Sequence, residues 1–435
     1  MKGGRGKDHP KPGTRNQEPE TKRPELSCAK CGSCSVVCPV FRVDGRESMT
    51  ARGKMHLLAT GLVDHPSAVF ENLFSQCLLC GACEQVCPRN LPITDIISKA
   101  RSRFSTFYGR GGLQKVVARS LLARPGLLEG LVRAGISLKR INGLPAHSGL
   151  RLKLGLLETR SQKKGTDLFF CSNRGLSRSQ KHKKINLSPF SVSYFTGCLA
   201  RHLQPSVAKA TTELLASCGQ SAHVPVDQNC CGLAAWSAGR RDQARSLARN
   251  NIEAFESLSG PILTSCASCS SHLFTYPDLF VKDDPWRRRA QQFADRVQEF
   301  TAFFGKSLPE PQPDTGSSLQ IFYHDPCHLR FTANGQAIPR ALLTRMGLQI
   351  VEPENGPSCC GQGGLFHLAY PETSAKIFNK ISRRVLACQP DCITTTCSGC
   401  LMQYQYQQED TRVVHLAVLL NELFVGENHL NQALE

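Results

Sequence analysis

The stretch "SYFTGC", Ser193–Cys198, closes an aromatic, apolar run on a cysteine, and "FYHDPC", Phe322–Cys327, does the same 129 residues later. Each is followed by a "CCG", Cys230–Gly232 and Cys359–Gly361, and then by a Cys-x2-Cys pair, "CASC" at Cys266–Cys269 and "CSGC" at Cys397–Cys400. Cys230 and Cys359 are again 129 apart, and Cys266 and Cys397 are 131 apart. A repeat kept this closely in register implies two copies of one module, joined face to face by duplication. Short β-type runs alternate with helical ones in each copy. "FSVSYFT", "AHVPV" and "PILTSC" read as strands, "PSVAKATTELLASCG" as a helix with a glycine stop, and "LAAWSAGRRDQARSLARNNIEAFESL" as one long helix. The second copy repeats this with "LQIFYH", "AIPRALLTRMG", "LQIVEP", one helix from about Phe366 to Cys388, and "DCITTTC". Alternating strand and helix predicts a parallel sheet flanked by helices, so 189–310 and 311–435 read as two α/β modules. The cysteines fall after the strands, where open α/β sheets place their ligand sites. Thiols distant in sequence should therefore meet at one sheet edge.

Ahead of the repeat stand "CAKCGSCSVVCP", Cys28–Pro39, and "CLLCGACEQVCP", Cys77–Pro88, with identical spacing. Cys-x2-Cys-x2-Cys-x3-Cys-Pro is the bacterial ferredoxin signature, in which three thiolates wrap one face of a 4Fe–4S cube and the fourth reaches the other cluster. One set is thus Cys28, Cys31, Cys34 and Cys87, and the other Cys77, Cys80, Cys83 and Cys38. Gly32 and Gly81 keep backbone close to sulfur, where N–H groups tune the potential. Zinc also takes four thiolates, but zinc ribbons use two separated pairs. Residues 25–100 therefore read as a largely helical, ferredoxin-like module with a helix around "GKMHLLATGLV". The whole is an α+β and α/β protein.

With 435 residues and 40% apolar composition, the chain is long enough for several cores. The start, "MKGGRGKDHPKPGTRNQEPETKRPE", has no apolar region of a signal peptide and reads as a disordered basic tail over 1–24. No apolar run approaches the ~20 residues of a membrane span. A cytoplasmic setting is expected, where 22 cysteines mean metal or redox chemistry rather than disulfides. The formal charge of +18 is uneven: Arg101–Lys153 holds eleven Lys/Arg against the single acid Glu129. This stretch reads as a helical basic connector over 101–188, fit to face core, partner or membrane surface. No nucleic-acid-reading motif accompanies it, so nucleic acid is not expected.

Five thiols per module exceed the four a cube needs, and from spacing alone a zinc site or a free reactive pair stays open. The arrangement resembles the cysteine-rich CCG domain, found in pairs in the B subunit of heterodisulfide reductases and in iron–sulfur subunits of glycolate oxidase, lactate-utilisation and anaerobic glycerol-3-phosphate dehydrogenase complexes. A two-cluster ferredoxin module followed by two such domains resembles the glycolate oxidase iron–sulfur subunit over roughly 25–425, including "ARGKMHLL". This resemblance implies clusters held by Cys198, Cys230, Cys231, Cys266 and Cys269, and by Cys327, Cys359, Cys360, Cys397 and Cys400. It departs in keeping both final cysteines in both modules, which leaves the substrate open between hydroxy acids and disulfides. Cys171, Cys218, Cys388 and Cys392 fit no motif. His324, Asp325 and His328 flank Cys327 and could relay protons, hydrogen-bond a ligand, or simply pack.

No Gly-x-Gly-x-x-Gly or nucleophile–base arrangement is readable, so no catalytic residue is assigned. The resemblance implies an electron-transfer subunit of a flavin-dependent glycolate or D-lactate dehydrogenase. It would take electrons from an FAD-containing partner and pass them to a quinone or other carrier, with peripheral membrane association open. The alternative is a disulfide reductase acting at a CCG-domain cluster.

Overall fold

The computed structural model describes residues 27–61, 67–104, 192–308, 319–331, 335–407 and 411–431. The expected tail, nearly all of the connector, and Cys171 lie outside the described residues.

The first repeat builds strands β1 (Val192–Phe195), β2 (Ala222–His223), β3 (Ile262–Thr264) and β4 (Val297–Glu299), paired in the order β2-β1-β3-β4 and parallel throughout. The second builds β5 (Gln320–Tyr323), β6 (Gln349–Ile350), β7 (Cys392–Thr395) and β8 (Arg412–His415), in the same order and sense. β1, β3 and β7 are buried along their whole length, as parallel strands covered on both faces must be. In each sheet the chain turns to opposite sides of its first strand. That leaves a switch point between β1 and β3, and between β5 and β7, where crevices open beyond the strand ends.

β4 and β8 were not expected, and their short runs carry few β-branched residues beyond Val297, Val413 and Val414. Two helices expected to be continuous are broken. The first splits into Leu233–Ser237 and Arg241–Glu256 around Gly239, which takes a left-handed φ of 77°. The second splits into Phe366–Ala369 and Pro371–Leu386, because Pro371 offers no N–H to the preceding turn.

The two modules interlock. Helix Phe300–Ser307, leaving β4, packs on Ala337–Arg345 of the second module, and Leu416–Asn431, leaving β8, packs on Pro205–Ser217 of the first. One buried core joins Phe195, Phe255 and Tyr276 to Phe322, Phe378 and Tyr404. A second joins Tyr194, Leu214 and Phe304 to Tyr323, Leu343 and Leu420. Each such side chain contributes roughly 1.5–3 kcal/mol on burial, so the modules hold one another. The Ala267 N–H donates to the Thr396 carbonyl across the boundary at 2.8 Å.

The N-terminal module has short helices around Met55, Phe74, Ile96 and Ile97. The helix expected over Gly53–Val63 runs Ala51–Ala59, capped by Thr50, whose hydroxyl accepts from Gly53 N–H. Gly53 is required there, since a Cβ would lie 2.4 Å from the Glu47 carbonyl. The module docks on both others. Ser98 donates to the Trp236 carbonyl (2.7 Å), Arg101 to that of Ser237 (2.6 Å), and Lys380 to that of Arg42 (2.6 Å). No helix among the described residues is long and apolar enough to cross a membrane.

Candidate metal centres

The two N-terminal motifs fold into the same loop. Lys30 and Leu79 take left-handed φ of 55° and 52°, and Gly32 and Gly81 of 84° and 79°. These turns aim successive thiols into one cavity each. Cys28, Cys31, Cys34 and Cys87 line the first, with Cys83 at its wall. Cys38, Cys77, Cys80 and Cys83 line the second. The fourth thiol of each motif thus crosses to the other motif's cavity. Neither lining contains a carboxylate or an imidazole. The Arg52 N–H donates to Cys34 Sγ (3.3 Å) and the Phe41 N–H to Cys38 Sγ (3.5 Å), bonds that favour thiolate. Burial opposes them: it pushes Cys34 and Cys38 up, and Cys80 up to about 12. Buried thiols of this kind ionise when a metal replaces the proton. An all-sulfur donor set, with no carboxylate or imidazole in the wall, fits an iron–sulfur cluster.

In the repeated modules the thiols meet at the switch points. Cys198 and Cys230 lie 3.7 Å apart, and Cys360 and Cys400 3.3 Å. Each thiol acts electrostatically on the next through Cys198, Cys230, Cys231, Cys269 and Cys266, and then across the module boundary through Cys397, Cys400, Cys360 and Cys359. Cys266 and Cys397 are equivalent positions, so the repeat's pseudo-twofold relation brings the two sets together there. Cys230 accepts from Cys198 and is held well below the ordinary cysteine range, as Cys360 and Cys397 are by the thiols beside them, while Cys198, Cys231, Cys359 and Cys400 are pushed up. Gly197 takes a left-handed φ of 68°, so any side chain there would be strained, and its Cβ would crowd Cys269 Sγ at 3.1 Å.

Cys327 is pushed up by burial first and then by the charge of Cys80 in the N-terminal module. Cys38, Cys80 and Cys359 pack on one apolar cluster of Val40, Met49, Leu78 and Phe366. The second N-terminal cavity therefore abuts the second module's thiols, while the first lies beside exposed Cys31.

Comparison with known proteins agrees with this layout. Residues 26–91 match a 4Fe–4S dicluster domain, and residues 192–274 and 321–405 each match a cysteine-rich domain. The probable glycolate oxidase iron–sulfur subunit of Bacillus subtilis is 30% identical over 420 residues, spanning 91% of this chain and 93% of the relative. The chain belongs to that family. Lactate utilization protein A of Exiguobacterium sp. is 31% identical over 238 residues, 53% of this chain and 97% of the relative. The protein of the same name from Anoxybacillus flavithermus is 31% identical over 238 residues, 53% of this chain and 99% of its own.

Around these cysteines lie further polar residues. Asn251 donates to the Cys230 carbonyl (3.1 Å) and to Tyr276 Oη, which donates to the Cys231 carbonyl (2.8 Å). His272 lies beside Cys230, and burial pushes it down to about 4, so it is neutral. The His324 ring nitrogen and the sulfurs of Cys360 and Cys400 lie within 4.8 Å of one another, close enough to share a metal, and His324 Nδ1 is 3.2 Å from Tyr404 Oη. His328 Nδ1 meets Ser268 Oγ (2.9 Å) of the other module, which meets Cys397 Sγ (3.1 Å). Asp325 instead makes a buried bidentate pair with Arg340 at 2.8 and 2.7 Å. Cys218, Cys388 and Cys392 lie outside both sets; Cys392 sits in β7, where burial pushes it up to about 11. Of the supporting residues only His324 and His328 were legible in sequence. Asn251, Tyr276 and Tyr404 sit on helices or helical turns with no motif of their own, and Ser268 lies between the two cysteines of "CASC".

Proposed function

We propose that this chain is the iron–sulfur electron-transfer subunit of a flavin-dependent 2-hydroxy-acid dehydrogenase complex of the glycolate or D-lactate type. The succession of thiol sites from exposed Cys31, through Cys80, whose charge acts on Cys327, to the repeated-module set that ends at Cys198 carries this reading. Cys28, Cys31, Cys34 and Cys87 would hold one cubane cluster, and Cys38, Cys77, Cys80 and Cys83 the other. The five-cysteine sets would hold one or two further clusters. Bound there, such clusters supply one-electron carriers. The chain's sequence carries no dinucleotide-binding motif, so on this reading the hydride step falls to FAD of a partner subunit, with a quinone or other carrier taking the electrons onward. The division into 25–100, 101–188, 189–310 and 311–435 follows the same reading.

Both modules retain all five cysteines, which favours a second reading, a disulfide reductase acting at a repeated-module site. Anaerobic purification of the chain with its partners from its native cell separates the two. A co-purifying flavoprotein that bleaches the iron–sulfur absorbance on adding glycolate or lactate supports the first. A flavin-free preparation that oxidises reduced viologen with a disulfide overturns it.

A further inference from the structure

Lys54 has no exposed surface, yet it lines the cavity of Cys38, Cys77, Cys80 and Cys83. Its Nζ donates to the carbonyls of Met49 (2.6 Å) and Ser48 (3.4 Å). It makes no ion pair among the described residues, and Asp44, the acid that feels it, is held by Arg46 at 2.7 Å. A buried charge persists only where an opposite charge compensates it. Burial pulls Lys54 below its ordinary value, and the groups that oppose this most strongly are the sulfurs of Cys77 and Cys38, with Cys83 after them. Arg101 stands behind them. Its guanidinium donates to the carbonyls of Phe74, Ser75, Cys77 (2.7 Å) and Ser237, and to no carboxylate among the described residues. The first cavity differs. Lys30 and Arg89 are exposed there, and Arg52 is neutralised by Glu47 at 2.6 Å. Charges in water are screened, whereas buried ones are not.

We propose that Lys54, backed by Arg101, is the built-in counter-charge of the Cys38–Cys77–Cys80–Cys83 site and makes it the higher-potential of the two N-terminal sites. The inference rests on the cluster assignment under Proposed function. A reduced cluster carries one more negative charge than an oxidised one, so a buried cation beside it favours reduction. Lys54 thereby tilts the pair. One electron shared between them settles on the site facing Cys327, with that site reduced, the Cys28 site oxidised and no proton moved. Electrons from a partner would accordingly be drawn inward from the exposed Cys31 end toward the repeated modules.

The test is an EPR-monitored redox titration of the anaerobically purified full chain, comparing Lys54→Gln and Lys54→Arg with the unmodified protein. The signal that survives in Cys34→Ser identifies the Lys54 site. Lys54→Gln should lower that site's reduction equilibrium constant by about tenfold, a fall of about 59 mV for one electron, and leave the other potential in place. Lys54→Arg should stay near the original value. Loss of that cluster from Lys54→Gln but not from Lys54→Arg would equally support a charge requirement. Both cubane signals present with neither potential moved in Lys54→Gln, an equal shift of both sites, or cluster loss from both variants would overturn the inference alone. Absence of two cubane signals from the unmodified protein would overturn the cluster assignment and the inference with it.

Discussion

Two glycines that end helices in the first module provide a measurement of how firmly the N-terminal module is docked. Gly219 (φ 70°) and Gly239 (φ 77°) share a left-handed backbone, so Ala at either position costs about 1–2 kcal/mol for that conformation. Their surroundings differ. A Cβ on Gly219 meets nothing within 4 Å, whereas one on Gly239 would lie 2.5 Å from Ser102 N and 2.6 Å from Arg101 C. Those are backbone atoms of helix Ile93–Ser102, which cannot turn aside as a side chain could. Relief requires the helix to move, straining the Ser98–Trp236, Arg101–Ser237 and Arg241–Asp95 contacts. Gly239→Ala should therefore lose about 1–3 kcal/mol beyond Gly219→Ala. Urea unfolding of the anaerobically purified protein, followed by circular dichroism, reads the gap as a lower midpoint at similar slope. Hydrogen exchange should accelerate in Ile93–Ser102 for Gly239→Ala alone. Equal midpoints and equal exchange in the two variants would refute the docking geometry.

Other perturbations address the sites directly. Cys34→Ser should lose about four irons per chain while the repeated modules stay folded, and Cys230→Ser should alter only the spectrum of the repeated-module clusters; iron analysis with EPR checks both. His415, buried with Nδ1 accepting from the Ala417 N–H, is pushed by burial from 6.5 down to about 4. The unfolded chain then binds the extra proton between those values, so stability rises with pH across that window and falls as pH drops from about 6.5 to about 4. His415→Asn, keeping an acceptor for the cap but no titrating ring, should flatten that slope relative to the unmodified protein in parallel unfolding curves. Tyr404→Phe removes the hydroxyl facing His324 and should cost about 1 kcal/mol while shifting only the second module's EPR signal. A change in the first module's signal would show that the two sets do not respond separately.

The cysteines of the N-terminal loops and the order of the repeated modules were legible because both are written in local spacing. Cys-x2-Cys-x2-Cys-x3-Cys sets a turn within a dozen residues, and alternating β and α runs imply a parallel sheet whatever lies beyond them. The helix breaks at Gly239 and Pro371 were missed, although proline is a breaker in any context. Gly239 breaks its helix beside Arg101 and Ser102, which arrive from a distant part of the chain. What only the tertiary structure decided are relations between residues that no spacing connects. Cys266 meets Cys397 because the duplicated modules share cores around a pseudo-twofold relation. Cys80 faces Cys327 and Cys359 because Leu78 and Phe366 bury one another. Lys54 reads in sequence as one more base in a helix, and only its complete burial at a cavity lined by four thiols makes its charge matter, since a charge acts strongly where water cannot reach it.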